Sequence, residues 1–187
     1  MLKNVKLRDL FFKKVNLPIT KRGMNRLLLL CCCVMLFTAC KKVTDPAVIN
    51  PDQAAIDDQI IADYIAGNNL TGVAKKVGDT IGVWYIVEKP GTVSTLYSSS
   101  SSVTVGYTGK VLTSGKVFAQ TDAFHPSYVL GTLIRGWQLG IPKANKGGIV
   151  RLLIPSRYAY GPYAQPSLGL SSNAVLDFTI EVFDVTN

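Results

Sequence analysis

Residues 174–185, AVLDFTIEVFDV, alternate strictly: Leu176, Phe178, Ile180 and Val182 fall on one side, Asp177, Thr179 and Glu181 on the other. Successive side chains of a strand point to opposite faces, so this period of two predicts a half-buried antiparallel strand. IGVWYIVEK, SVTVGYTGKVL, GKVFAQT, SYVLG and GGIVRLLIP are also short, rich in branched and aromatic residues, and bounded by Gly, Pro or Ser; they predict further strands. Between them only Ile134 to Ile141 reads as a helix, closed by Pro142. The serine run from Ser98 to Ser102 reads as a flexible loop between strands. Upstream, NPDQAAIDDQIIADYIAGNN predicts a helix over 51–67, with Asn50 as N-cap, Pro51 in the first turn and Gly67 as the stop. Ile56, Ile60 and Tyr64, flanked by Ile61 and Ile65, form an apolar stripe. That stripe requires a partner surface, either its own domain, leaving a monomer, or a second copy, making a dimer. The pattern as a whole describes an α+β domain, a twisted antiparallel sheet wrapped on one short helix.

The first 39 residues follow different rules. A basic stretch ending in Arg26 precedes LLLLCCCVMLFTA, which stops at Cys40 and is followed at once by Lys41 and Lys42. A spanning helix needs about 20 apolar residues, so this run suits an export signal better than a membrane anchor. Residues 1–23 add nothing a signal needs, which makes Met24 a candidate start. LFTAC is similar to a bacterial lipobox, with Phe37 where leucine is usual. It predicts that Cys40 is acylated and becomes the amino terminus of a lipoprotein in the bacterial cell envelope, facing the periplasm. The alternative is an ordinary signal peptide with an incidental cysteine. Residues 40–50 then form the tether, and the main domain runs from 81 to 187.

Charge and composition narrow the chemistry. The net charge of +8 suggests nucleic acid, but eight Lys and Arg against Asp9 put +7 into the first 39 residues. The remainder holds twelve bases against eleven acids, and so has no basic excess with which to neutralise phosphates. All four cysteines, Cys31, Cys32, Cys33 and Cys40, precede residue 41, so the folded part contains no internal disulfide. His125 is the single histidine, which leaves no zinc constellation and no supported Ser-His-Asp triad. The glycines at 109 and 115 followed by Lys116 and Val117 lack the Ser or Thr of a phosphate loop and read as a hairpin turn. No cofactor is implied.

What remains is an aromatic set: Tyr107, Phe118, Tyr128, Trp137, Tyr158, Tyr160, Tyr163 and Phe178. The blocks V-x-V-x-Y-T-G (103–109), G-K-x-F (115–118), Y-x-L-x-x-L-I-x-G-W (128–137), I-P-x-x-Y-A-Y-G (154–161) and N-A-x-L-x-F-x-I-E-V (173–182) occur in this order. Together they resemble the FKBP-type peptidyl-prolyl isomerases from about Ile81 to the end. The resemblance implies a sheet half-wrapped around the short helix, with a pocket between them that binds proline-containing polypeptides and accelerates X-Pro rotation. It implies that Tyr107, Phe118, Trp137, Tyr160 and Phe178 line the pocket, with the Tyr160 hydroxyl donating to the peptide. Tyr128 supports it, Leu133 and Ile134 wall the proline site, and Leu168 and Leu170 border it. Within that frame, Gly136 and Gly140 share a helix face and allow a close approach to the sheet, letting Trp137 lie as a floor. The Ile134 amide, in the first turn, lacks an intrahelical partner and is free to donate to a substrate carbonyl. The family usually has aspartate after the pocket phenylalanine; here Ala119 follows Phe118, which predicts reduced activity. The alternative reading is a module that grips proline-containing segments as a chaperone with little or no turnover.

Overall fold

A computed structural model describes residues 50–78, 82–92 and 94–187, which fall within one compact unit. The leader, Cys40 and the tether before Asn50 lie outside the described residues. Helix α1 spans Pro51–Gly67; the Asn50 side chain caps it by accepting the Gln53 N–H at 3.1 Å. The strands follow as β1 (Lys75–Lys76), β2 (Trp84–Lys89), β3 (Ser102–Val111), β4 (Val117–Gln120) and β5 (Ser127–Val129). Helix α2 (Arg135–Gly140), β6 (Ile149–Ile154) and β7 (Leu176–Thr186) complete the chain. The sheet order is β1-β2-β6-β7-β3-β4, all described pairings are antiparallel, and β5 pairs with the first residues of β3. Only β1 lacks a sequence expectation, because two lysines carry no apolar period.

The alternation read in β7 sets the layers. Leu176, Phe178, Ile180 and Val182 join Val103, Val105, Leu152, Ile154, Trp137 and Ile141 in the main core, on the face that α2 covers. A β-carbon at Gly136 would lie 2.5 Å from Ile154 Cγ2, and one at Gly140 would lie 2.4 Å from both Leu152 methyls. A side chain at either position would have to displace Ile154 or Leu152 within the core, so the two glycines permit the close approach their spacing predicts.

The opposite face is not bare. Helix α1 packs there, with Ile61 and Ile65 in a second cluster around Leu153, Leu112 and Val175, flanked by Trp84 and Ile86. Its stripe therefore meets its own domain, one residue out of phase with the expected one. Ala54, Asp57, Ile61 and Ile65 are buried, while Ile56 is 54% exposed. The register shifts because a buried aspartate occupies a core position. Covering this face also buries Asp177, so β7 is not simply half-buried. Its carboxylate receives Arg151 Nε at 2.9 Å and Nη2 at 2.8 Å, and Arg151 Nη2 also donates to the Tyr64 hydroxyl at 2.7 Å. This paired charge is what makes an acid tolerable beneath the helix.

The serine segment is a hydrogen-bonded turn rather than a free loop. The Ser101 hydroxyl, fully buried, receives the Ser98 N–H at 2.8 Å. The Ser99 and Ser101 carbonyls receive the N–H groups of Gly131 and Leu130 at 2.8 and 2.9 Å, just ahead of α2. The turn from Val111 to Lys116 is the expected hairpin, with Gly115 at φ +68°.

Candidate active site

Between α2 and the sheet lies a cavity of about 230 Å³. It is lined by Tyr107 from β3, Phe118 and Ala119 from β4, Tyr128 from β5, and Phe178 from β7. Leu133, Ile134 and Trp137, at and inside the start of α2, join Tyr160 and Leu168 from the β6–β7 connection to close it. The rings meet edge to face: Trp137 and Phe178 have centroids 5.0 Å apart at 88°, Tyr107 and Trp137 5.0 Å at 78°, and Phe118 and Phe178 5.5 Å at 82°. Such T-shaped contacts set the positive edge of one ring against the negative face of the next, which fixes all four in one arrangement. Trp137 is itself buried, a floor held by the glycine-mediated approach of α2.

The polar groups of this cavity are uncharged. Burial, reinforced by the neighbouring Tyr128 and Tyr160 hydroxyls, pushes the Tyr107 hydroxyl up to about 12, and burial raises that of Tyr160. Both therefore stay protonated donors at neutral pH. Neither the Ile134 N–H nor the Tyr160 hydroxyl has a hydrogen-bond partner among the described residues, and the Trp137 indole N–H is buried without one. Ile134 and Tyr160 line the cavity and are only partly buried, so their free N–H and O–H are open to a ligand with acceptors. Folding also makes stability depend on alkali: a hydroxyl raised in the folded state holds its proton while the unfolded chain loses it above about pH 10. The Tm is expected to be level up to about pH 9.5 and to fall as pH rises from 10 to about 12, with Tyr97, also pushed up to about 12 by burial, contributing. Differential scanning calorimetry across that range checks it.

A model of FKBP-type peptidyl-prolyl cis-trans isomerases matches residues 95–183. Over 99 residues the chain is 36% identical to FK506-binding protein 1 of Saccharomyces cerevisiae, covering 86% of that protein and 51% of this one. The chain belongs to the FKBP-type isomerase family. Other similar proteins of this family include FkpA of Buchnera aphidicola, 28% identical over 121 residues, which span 64% of this chain and 46% of that one. Among solved structures, a peptidyl-prolyl isomerase of Pseudomonas syringae matches with a TM-score of 0.60 and 26% identity, over 71% of this chain and 96% of that one. FkpA of Escherichia coli matches with a TM-score of 0.60 and 25% identity, over 90% of this chain and 74% of its own. Membership supports peptidyl-prolyl isomerase activity.

Within this FKBP-type pocket the structure brings together every residue expected there except Leu170. Leu168 faces the cavity at the end of a 3-10 turn, but Gly169, at φ +65°, reverses the chain. Leu170 then bridges to Gln165 and is buried in the core, 3% exposed. Two further positions shape the cavity, one lining it and one lying against two of its rings. Ala119 is one of its walls. Gly109 is paired with Phe178 on one side and Ala119 on the other, and a β-carbon there would lie 2.5 Å from Phe178 Cε1 and 2.9 Å from Phe118 Cζ. Its bare backbone makes room for the two rings. Asp122 and His125 border a different depression with Glu181 and Phe183, where the imidazole stacks on Phe183 at 3.8 Å. Asp122 therefore does not replace the carboxylate missing at Ala119.

Proposed function

We propose that the protein accelerates X-Pro rotation by seating the prolyl ring on Trp137, among Tyr107, Phe118 and Phe178. The carrying observation is an uncharged aromatic cavity that holds unpaired donors at Ile134 and Tyr160. Rotating the imide breaks its resonance, against a barrier of about 18–20 kcal/mol, and the twisted amide is less polar than the planar one. Once a bound prolyl segment displaces water from it, an aromatic cavity disfavours the planar ground state more than the twisted transition state, while the Ile134 N–H and the Tyr160 hydroxyl hold the flanking carbonyls. Lowering the barrier by about 4 kcal/mol gives roughly a thousandfold. No nucleophile and no proton transfer are required. A proline-peptide isomerisation assay on the wild type and on Tyr160→Phe tests this. The expected result is acceleration that falls about tenfold in the variant, the worth of one hydrogen bond.

Ala119 supports a second reading. Without a carboxylate beside Phe118, the same cavity serves a module that grips proline-containing segments as a chaperone with little turnover. Peptide binding without acceleration in that assay decides for it.

We further propose that the chain is a lipoprotein of a bacterial envelope, anchored through acylated Cys40 and acting on exported polypeptides. The run that ends in LFTAC and the confinement of basic charge to the first 39 residues support this. Cys40→Ser is expected to move the protein from the membrane to the soluble fraction; equal membrane retention of the variant contradicts acylation at that residue.

A further inference from the structure

Helix α1 precedes the residues matched by the family, yet it reaches into the pocket's construction. Asp57 is fully buried, and its two carboxylate oxygens are divided between two neighbours. Oδ2 accepts the Ser156 N–H at 2.8 Å and the Ser156 hydroxyl at 2.6 Å, while Oδ1 accepts Gln53 Nε2 at 2.8 Å. A buried carboxylate is costly unless its oxygens are satisfied. Here the donors come chiefly from a residue 99 positions away.

Ser156 in turn governs the backbone that carries Tyr160. Its carbonyl accepts the N–H groups of Ala159 at 2.9 Å and Gly161 at 2.8 Å, the two residues that bracket Tyr160. The Gly161 carbonyl accepts the Asn173 N–H at 2.9 Å, tying the far side of the turn down. Arg157, next to Ser156, donates from Nη1 to the Ala54 carbonyl at 3.1 Å and from Nη2 to Asp58 at 2.7 Å, so α1 grips the same segment twice. With both neighbouring amides bound to one carbonyl, the direction of the Tyr160 side chain follows the placement of Ser156. That placement is set by a charge-assisted pair of bonds to Asp57.

We propose that Asp57 is a positioning residue of the isomerase site, acting through Ser156 to aim the Tyr160 hydroxyl into the pocket, so that α1 is a working part of the catalytic domain. The proposal rests on the reading of Tyr160 as the donor to bound peptide. It goes beyond that reading by assigning a role to a residue outside the matched family region.

The test is a mutant cycle in the full chain, read by proline-peptide isomerisation and by amide hydrogen exchange. Asp57→Ala is expected to lower kcat/KM about tenfold, matching Tyr160→Phe. Asp57→Asn, whose amide oxygen can still accept both Ser156 donors, is expected to recover to within about twofold of wild type. In the Tyr160→Phe background, Asp57→Ala should cost little more, because both act through one hydroxyl. A kcat/KM unchanged in Asp57→Ala, or a full further tenfold loss in the double variant, overturns the proposal. Exchange at the Ala159 and Gly161 amides should rise at least tenfold in Asp57→Ala while β7 remains protected; unchanged exchange there also overturns it. If the wild type gives no acceleration, the isomerase reading falls and the exchange result alone decides for Asp57. Should Asp57→Ala fail to fold, Ser156→Ala, which keeps the backbone donor and loses the hydroxyl, must show a smaller change in the same direction.

Discussion

Trp137→Ala is expected to lower kcat/KM for proline peptides by at least about a hundredfold, the largest loss for any single side chain of the pocket. The indole is the floor, and it braces Tyr107 and Phe178 edge to face at 5.0 Å each. Removing it takes away the apolar surface against which the prolyl ring would lie and frees both neighbours to tilt. Water then enters, and the preference for the twisted amide, which depends on its exclusion, is lost. Truncating a buried tryptophan also costs about 3–5 kcal/mol of stability, so the chemical loss must be read below the variant's own melting point. Trp137→Phe supplies the comparison. It keeps an aromatic floor of smaller area and should retain most of the fold and a measurable part of the rate. Equal rates for wild type and Trp137→Ala, at equal folded fraction, would show that the indole does not serve as the floor for the prolyl ring.

The second large effect belongs to a residue with no side chain. Gly109→Ala puts a β-carbon 2.5 Å from Phe178 and 2.9 Å from Phe118, inside any tolerable contact. Phe178 cannot retreat because Trp137 stands behind it at 5.0 Å, and Phe118 meets Phe178 edge-on at 5.5 Å. The strain is therefore relieved by swinging Phe118 toward the cavity or by parting β3 from β4. Overpacking of this kind costs about 1–3 kcal/mol. The expected outcome is a tenfold or greater fall in kcat/KM with the near-native far-ultraviolet spectrum of an intact sheet. Steady-state kinetics beside circular dichroism reads both, and an unchanged rate would mean that the Phe118–Phe178 pair does not shape the site.

These two positions differ in how plainly the sequence announces them. Trp137 sits between glycines whose spacing requires one face of a short helix, and a helix that approaches its sheet that closely has little else to do with an indole than lay it over the core. Gly109 in a strand suggests only a turn or a bulge, since the rings it accommodates come from residues 118 and 178. Long-range partners of that kind leave no local pattern. The same limit explains α1. Its existence, cap and length follow from Asn50, Pro51 and the apolar repeat, but its register does not, because Asp57 reads as a solvent-facing acid until Ser156 is folded against it. The resemblance places both Leu168 and Leu170 at the pocket, in a loop whose register a single sequence does not give. The positive φ of Gly169 reverses the chain between them and turns Leu170 into the core. The strands themselves were legible because one face of each is apolar. The apolar stripe of α1 called for a partner and left its own domain and a second copy both open; that it covers the outer face, where Arg151 rather than water holds Asp177, has no local signal.

On the proposed mechanism, rotation is accelerated by an uncharged aromatic cavity and not by proton transfer. The most direct measurement is the pH profile of kcat/KM for an X-Pro peptide between about pH 6 and 9. Burial raises the Tyr160 hydroxyl and, with its neighbours, pushes that of Tyr107 up to about 12, above that range. Clear acceleration over the uncatalysed reaction and a flat profile are expected; a bell-shaped or sigmoidal profile in that window, or no acceleration at all, would rule the mechanism out.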